Sequence, residues 1–220
     1  PDLGLQGTEH RLHQDDLEQG YINFLKTGIL YADLVTTVSP TYAREIQTPE
    51  YGVGLDNLLR GRRNTVVGIL NGVDYQEWNP ATDALIPANY SPDDMRGKAG
   101  CKRALQESLG LEVQAGRPLA GIVSRLVAQK GIDLIETVIP HLLEHRDFAM
   151  AILGSGEPRY EQFFHWLQQR FPGRVCFYRG YNTTLAHQIE AGADLFLMPS
   201  LYEPCGLNQM YSLKYGTVPV

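Results

Sequence analysis

Ala193-Asp194-Leu195-Phe196-Leu197-Met198-Pro199-Ser200-Leu201-Tyr202-Glu203-Pro204-Cys205-Gly206-Leu207-Asn208-Gln209 runs from an apolar segment through a polar turn into a helix-forming stretch. The apolar part, 193–198, reads as a buried strand, and Leu207–Tyr215 reads as a helix. A carboxylate, a proline, a cysteine and a glycine therefore sit where a strand hands over to a helix. In open α/β sheets that junction is where ligands bind. The unpaired N–H groups of a helix start favour an anion such as a phosphate. Gly206 permits a close approach to the backbone, and Glu203 offers an acceptor for sugar hydroxyls. The layout is that expected for holding a sugar-phosphate.

Upstream of this junction the chain alternates. Helix is expected over Pro92–Leu109, Lys130–Glu144, Arg159–Phe171 and Thr183–Ala191. Strand is expected over Leu119–Ser124, Phe148–Leu153, Arg174–Tyr178 and Asp194–Met198, with a last strand starting at Thr217. Such alternation indicates right-handed βαβ units and a doubly wound parallel sheet.

The first part of the chain reads differently. Asn23–Tyr31 looks helical, Asp33–Val38 looks like a buried strand, and Ser39-Pro40 has the cap-plus-proline form of a helix start. Tyr51–Arg63 reads as loop with a short helix, Thr65–Leu70 as another strand, and Pro80–Pro92 as a polar linker. The expected organisation is a tail of an amino-terminal domain over 1–70, a junction over 71–92, and a Rossmann-like domain over 93–220. The chain starts at Pro1, and its last residues read as the opening of a core strand, so a piece of a longer protein is expected.

With 43% apolar and 20% charged residues the composition is that of a globular protein, and no apolar run approaches the length of a membrane span. A net charge of −6 argues against general nucleic-acid binding, so an anionic ligand needs a local basic site. Cys101, Cys176 and Cys205 are too few and too scattered for a disulfide framework, and no Cys/His spacing matches a zinc site.

The carboxyl ends of the expected strands carry the candidate chemistry. After the first comes Ser124-Arg125-Leu126-Val127-Ala128-Gln129-Lys130-Gly131. Arg125 and Lys130 flank a short loop and suit a diphosphate, the one as a bidentate donor and the other as a point charge; they equally read as solvated loop cations. Gly154-Ser155-Gly156 reads as a tight turn and lacks the full dinucleotide fingerprint. Gly180-Tyr181-Asn182 follows the next strand; Tyr181 either stacks on a nucleobase or covers the sheet edge. Cys205, near a helix start, is a nucleophile only if a base stands beside it, and otherwise a packing residue. Lys26-Thr27-Gly28 mimics a phosphate loop but falls within a helical stretch.

Taken in order, five blocks resemble the bacterial glycogen synthases and plant starch synthases. They are Thr37-Val38-Ser39-Pro40-Thr41-Tyr42-Ala43-x-Glu45-Ile46; Gly68-Ile69-Leu70-Asn71-Gly72-Val73-Asp74-x-x-x-Trp78-Asn79-Pro80; Ser124-Arg125-Leu126-x-x-Gln129-Lys130-Gly131; Gly180-Tyr181; and Glu203-Pro204-Cys205-Gly206-Leu207-x-Gln209. The family consists of retaining glycosyltransferases of two-domain GT-B fold.

The resemblance implies glucose transfer from ADP-glucose to the non-reducing end of an α-1,4-glucan. The alternatives are a GT-B relative that uses UDP-glucose or makes sucrose, and a binding module without catalysis. By the resemblance, Arg125 and Lys130 neutralise the leaving diphosphate, and Glu203 holds glucose hydroxyls. Tyr181, beside Gly180, stacks near the adenine. Cys205, Gly206, Leu207 and Asn208 present the helix start, and Asn71 approaches the sugar. No metal and no cofactor is implied beyond the donor itself, nor any nucleic-acid or membrane partner. A bacterial cytoplasm or a plastid stroma is the expected location.

The chain departs from the wider pattern in three ways. Tyr211 stands where many GT-B enzymes place a second glutamate, eight positions after Glu203, and Asn208 stands where threonine is common. The family's amino-terminal Lys-x-Gly-Gly-Leu loop and catalytic histidine are absent from these 220 residues. The isolated chain is therefore expected not to catalyse transfer.

Overall fold

The computed structural model describes Gly4 and residues 7–220, which divide into two compact units, Pro1–Gly72 and Val73–Val220.

In the first unit α1 (Gln14–Glu18) and α2 (Phe24–Tyr31) precede β1 (Val35–Thr37), α3 (Pro40–Glu45), α4 (Asp56–Gly61) and β2 (Val66–Gly68). Asn23 caps α2 by accepting the Lys26 N–H, and Ser39 caps α3 by accepting the Tyr42 N–H, each at 3.0 Å, with Pro40 in the first turn. The phosphate-loop mimic at Lys26 lies inside α2, and Lys26 pairs with the buried Asp16 at 2.8 Å. The Arg62 guanidinium donates to the carbonyls of Ile29, Leu30 and Ala32, satisfying the end of α2. β1 and β2 pair in parallel, Val35 opposite Val66.

The second unit contains α5 (Arg96–Ser108), β3 (Leu119–Leu126), α6 (Ile132–His145), β4 (Ala149–Gly156), α7 (Pro158–Arg170), β5 (Val175–Arg179), α8 (Thr183–Gly192), β6 (Leu195–Phe196), α9 (Leu207–Lys214) and β7 (Val218–Pro219). The strands form a parallel sheet in the order β5-β4-β3-β6-β7. Chain direction across the sheet reverses between β3 and β6, and that is the switch point of a doubly wound sheet.

Successive residues of the central strands serve opposite faces. Ala120, Ile122, Met150 and Ile152 pack with Ile135, Ile139, Phe164 and Leu167 of α6 and α7. Leu119, Ala149, Ala151 and Leu153 pack with Leu105 of α5 and Leu185 and Ile189 of α8. Burial on both faces explains why these strands read as unbroken apolar runs. At the amino-terminal ends of β3 and β6, Asp194 accepts from Lys102 Nζ and from the Leu119 N–H, both at 2.7 Å, tying α5 to these strands.

Several boundaries depart from the sequence expectation: β1 is shorter than 33–38 and half-exposed rather than buried, and β6 is only Leu195–Phe196. The Gly154–Gly156 turn is instead the end of β4: Gly154, Ser155 and Gly156 pair with Ser124, Arg125 and Leu126, so the ladder outruns the apolar run. The helix expected from Pro92 starts at Arg96, because Ser91 and Asp94 first bond to each other's backbone in a tight bridge. The helix expected from Lys130 starts at Ile132, after a 3-10 turn over Ala128–Lys130 and a left-handed Gly131. The polar segment 80–92 belongs to the second unit and buries Asp83, Ile86 and Tyr90 there.

Candidate active site at the sheet switch point

The turns after β3 and β6 meet at the switch point. Leu201 N–H donates to the Gln129 carbonyl at 2.9 Å, and Gln129 Nε2 donates to the Tyr202 carbonyl at 3.1 Å. Gly131 makes the approach possible: φ is +66°, and a Cβ there would lie 1.8 Å from the Pro199 carbonyl oxygen. With the turns fastened, Lys130 Nζ donates to Glu203 Oε1 at 2.6 Å, and Ser200 Oγ donates to the same oxygen at 2.7 Å. Both pair members retain about a fifth of their exposure, 19% and 22%. Among the described residues Glu203 Oε2 has no partner, so it remains open to a hydroxyl donor.

Arg125, the penultimate residue of β3, is exposed, and no carboxylate pairs with it among the described residues. Glu157 accepts the Ala128 N–H at 3.3 Å, joining the end of β4 to the Lys130 turn. Past Cys205, which is half-buried, Gly206 adopts a left-handed φ of +79° and starts α9 with no side-chain cap on the N–H groups. Leu207 is the first helical residue. These donors, together with Arg125 and Lys130, give the site its positive character.

The remaining expected residues are more scattered. Asn208 lies in the first turn of α9, but its side-chain amide donates to the Val123 carbonyl at 2.8 Å, so it fastens the helix to β3. Gly180 follows β5 on the same edge of the sheet, its N–H donating to the Gly154 carbonyl at 2.9 Å. Tyr181 is 83% exposed, its ring face free of aromatic neighbours among the described residues. Asn71 belongs to the first unit and is half-buried there.

Behind α9 lies a polar cluster that the sequence reading passes over. Trp78 stacks between His187 at 3.9 Å and Tyr211 at 4.0 Å, nearly parallel to both. Asp83 Oδ2 accepts from Tyr215 Oη at 2.6 Å and contacts His187 Nδ1 at 2.8 Å. Ser212 Oγ lies 2.7 Å from Glu190 Oε2. Burial pushes the Glu190 carboxyl up to about 8, against smaller lowering effects from Ser212 and Lys98. Burial likewise pulls the Lys98 ammonium down to about 8, and it raises the Tyr211 hydroxyl. The available signal was His187 and Glu190 three residues apart, on one face of the helix with Leu185, Ala186 and Ile189 beside them.

Comparison with known proteins identifies the family and the fold. The family described as "Starch synthase catalytic domain" matches residues 1–61, and "Glycosyl transferases group 1" matches residues 109–220. Over 199 residues the chain is 56% identical to a glycogen synthase of Anaeromyxobacter dehalogenans (strain 2CP-C), covering 90% of this chain and 42% of that protein. It is 54% identical over 209 residues to a glycogen synthase of Cellvibrio japonicus, covering 94% and 43%. The catalytic domain of starch synthase IV from Arabidopsis thaliana, solved bound to ADP and acarbose, superposes with a TM-score of 0.84 at 42% identity, covering 90% of this chain and 41% of that one. The chain thus spans less than half the length of the relatives it matches. A parallel sheet with reversed order at its centre, a Lys–Glu pair at the reversal and these likenesses place it together: the chain belongs to the group 1 glycosyltransferases of GT-B fold, on the branch of the glycogen and starch synthases.

Proposed function

We propose that the protein of which this chain is part transfers glucose from ADP-glucose to the non-reducing end of an α-1,4-glucan, with retention at the anomeric carbon. The observation that carries this reading is the Lys130–Glu203 pair, set beside Arg125 and the uncapped start of α9. Lys130 and Arg125 meet the diphosphate oxygens, where negative charge grows as the C1–O bond to phosphate breaks. The N–H groups of Leu207 and Asn208 add to that field. Glu203 uses Oε2 to hold a glucose hydroxyl while Oε1 stays with Lys130 and Ser200. The acceptor hydroxyl attacks C1 from the face that the phosphate leaves, and its proton passes to the departing phosphate oxygen. Tyr181 offers its exposed ring to the adenine, and Gly180 and Cys205 line the same edge. The two cations do the work that a divalent metal does elsewhere, so no metal is required.

The test is transfer of labelled glucose to glycogen by the full-length protein, from ADP-glucose and from UDP-glucose in parallel. Incorporation from ADP-glucose supports the reading. Incorporation from UDP-glucose alone would replace the donor, and none from either would favour binding without transfer.

A further inference from the structure

The network behind α9 reaches the donor site through one continuous line of hydrogen bonds. Ser212 Oγ lies 2.7 Å from Glu190 Oε2 and 2.8 Å from the Asn208 carbonyl oxygen. Asn208 Nδ2 then donates to the Val123 carbonyl at 2.8 Å, on the strand that carries Arg125 near its end. A serine hydroxyl has a single proton to give. When Ser212 donates to Asn208, its contact with Glu190 is made only if Glu190 donates. The line is then directional: Glu190 to Ser212, Ser212 to the first turn of α9, and Asn208 to β3.

We propose that Glu190 is a positioning residue for the donor site, acting through Ser212 and Asn208 to fix the first turn of α9 against the end of β3. The inference rests on the donor-binding reading given above. It assigns Glu190 no contact with substrate.

Three features support the role. Glu190 is 2% exposed, and Ser212 is fully buried, so water does not replace either partner. The Glu190 backbone is held as well, its carbonyl accepting from Thr217 Oγ1 at 2.5 Å while Lys98 Nζ donates to that same hydroxyl at 2.7 Å. The carboxyl holds its proton up to about 8, so near neutrality it is a donor. The groups whose charge reaches it are Lys98 on α5, Tyr90 in the preceding segment, Tyr211 within α9 and Tyr215 just after it. His187 on its own helix is turned to Asp83. On ionisation Glu190 becomes an acceptor and takes the Ser212 proton away from Asn208.

The experiment is the dissociation constant of ADP by calorimetry on the full-length protein between pH 6 and 9.5. Wild type, Glu190→Gln and Ser212→Ala are compared, with thermal melting confirming that each is folded. Glu190→Gln keeps a donor at every pH. We expect it to bind ADP within about twofold of wild type at pH 6.5 and to lack the loss of affinity that wild type shows above pH 8. Ser212→Ala should bind about tenfold more weakly, the scale of one lost hydrogen bond. An identical alkaline loss in wild type and Glu190→Gln, or unchanged affinity in a folded Ser212→Ala protein, overturns the inference alone. Wild type that binds no ADP overturns this inference and the donor-binding reading together.

Discussion

Lys130 Nζ lies 2.6 Å from Glu203 Oε1, although 73 residues separate the two in sequence. The pairing follows from topology. β3 and β6 are neighbours in the sheet, their following helices pack on opposite sides, and the turns after both strands therefore open onto one crevice. Its chemical consequence is a carboxylate with one oxygen held by Lys130 and Ser200 and the other left open to a further donor.

Gly131→Ala tests whether that crevice depends on the close approach of the two turns. A side chain is disfavoured at φ +66°, and its Cβ would meet the Pro199 oxygen at 1.8 Å. The left-handed conformation alone costs about 1–2 kcal/mol. The expected result is a lower melting temperature and a raised donor KM, because Pro199–Glu203 must shift. A variant with wild-type stability and KM would show that the approach is dispensable.

Trp78→Ala removes a ring stacked on both His187 and Tyr211. The loss of packing and stacking should lower unfolding free energy by about 3 kcal/mol, read as a fall in the urea midpoint. Tyr211, stacked on Trp78, is thereby assigned to packing. A midpoint unchanged within error would refute the assignment.

The sheet was legible because burial on both faces leaves unbroken apolar runs, and the junction at Ser200–Gln209 was legible because turn and helix-start chemistry is local. The extent of β3 and β4 was not: Arg125 and Ser155 are polar yet paired, a fact set by the partner strand. Lys130 and Glu203 were each visible, but their mutual bond was not, since it depends on strand order. Asn208 was read only as part of the helix start, and the bond of its amide to Val123 depends on how α9 packs on β3. The segment 80–92 reads as linker by polarity, yet Asp83 is buried against Tyr215 and His187, a placement that tertiary packing alone decides.

Stability should fall as pH rises from about 4.5 to about 8 through Glu190. Unfolded, its carboxyl ionises near 4.5; folded, it holds its proton to about 8, so the native state binds more protons across that window. Lys98 acts in the opposite direction and higher up, between about 8 and 10.5, where the native state binds fewer protons. Chemical denaturation of wild type and Glu190→Gln should therefore diverge between pH 5 and 8, with the variant gaining up to about 1.4 kcal/mol per pH unit. Parallel stability curves would contradict a buried neutral carboxyl.

The most direct test of the account is turnover by the full-length protein carrying Lys130→Ala, with ADP-glucose and glycogen saturating and the fold confirmed by circular dichroism. Removing one preorganised cation from the leaving diphosphate predicts a fall in kcat of about 10²–10³ with the fold intact. A folded variant that turns over within twofold of wild type would contradict the assignment of Lys130, and with it the placement of the donor at the switch point.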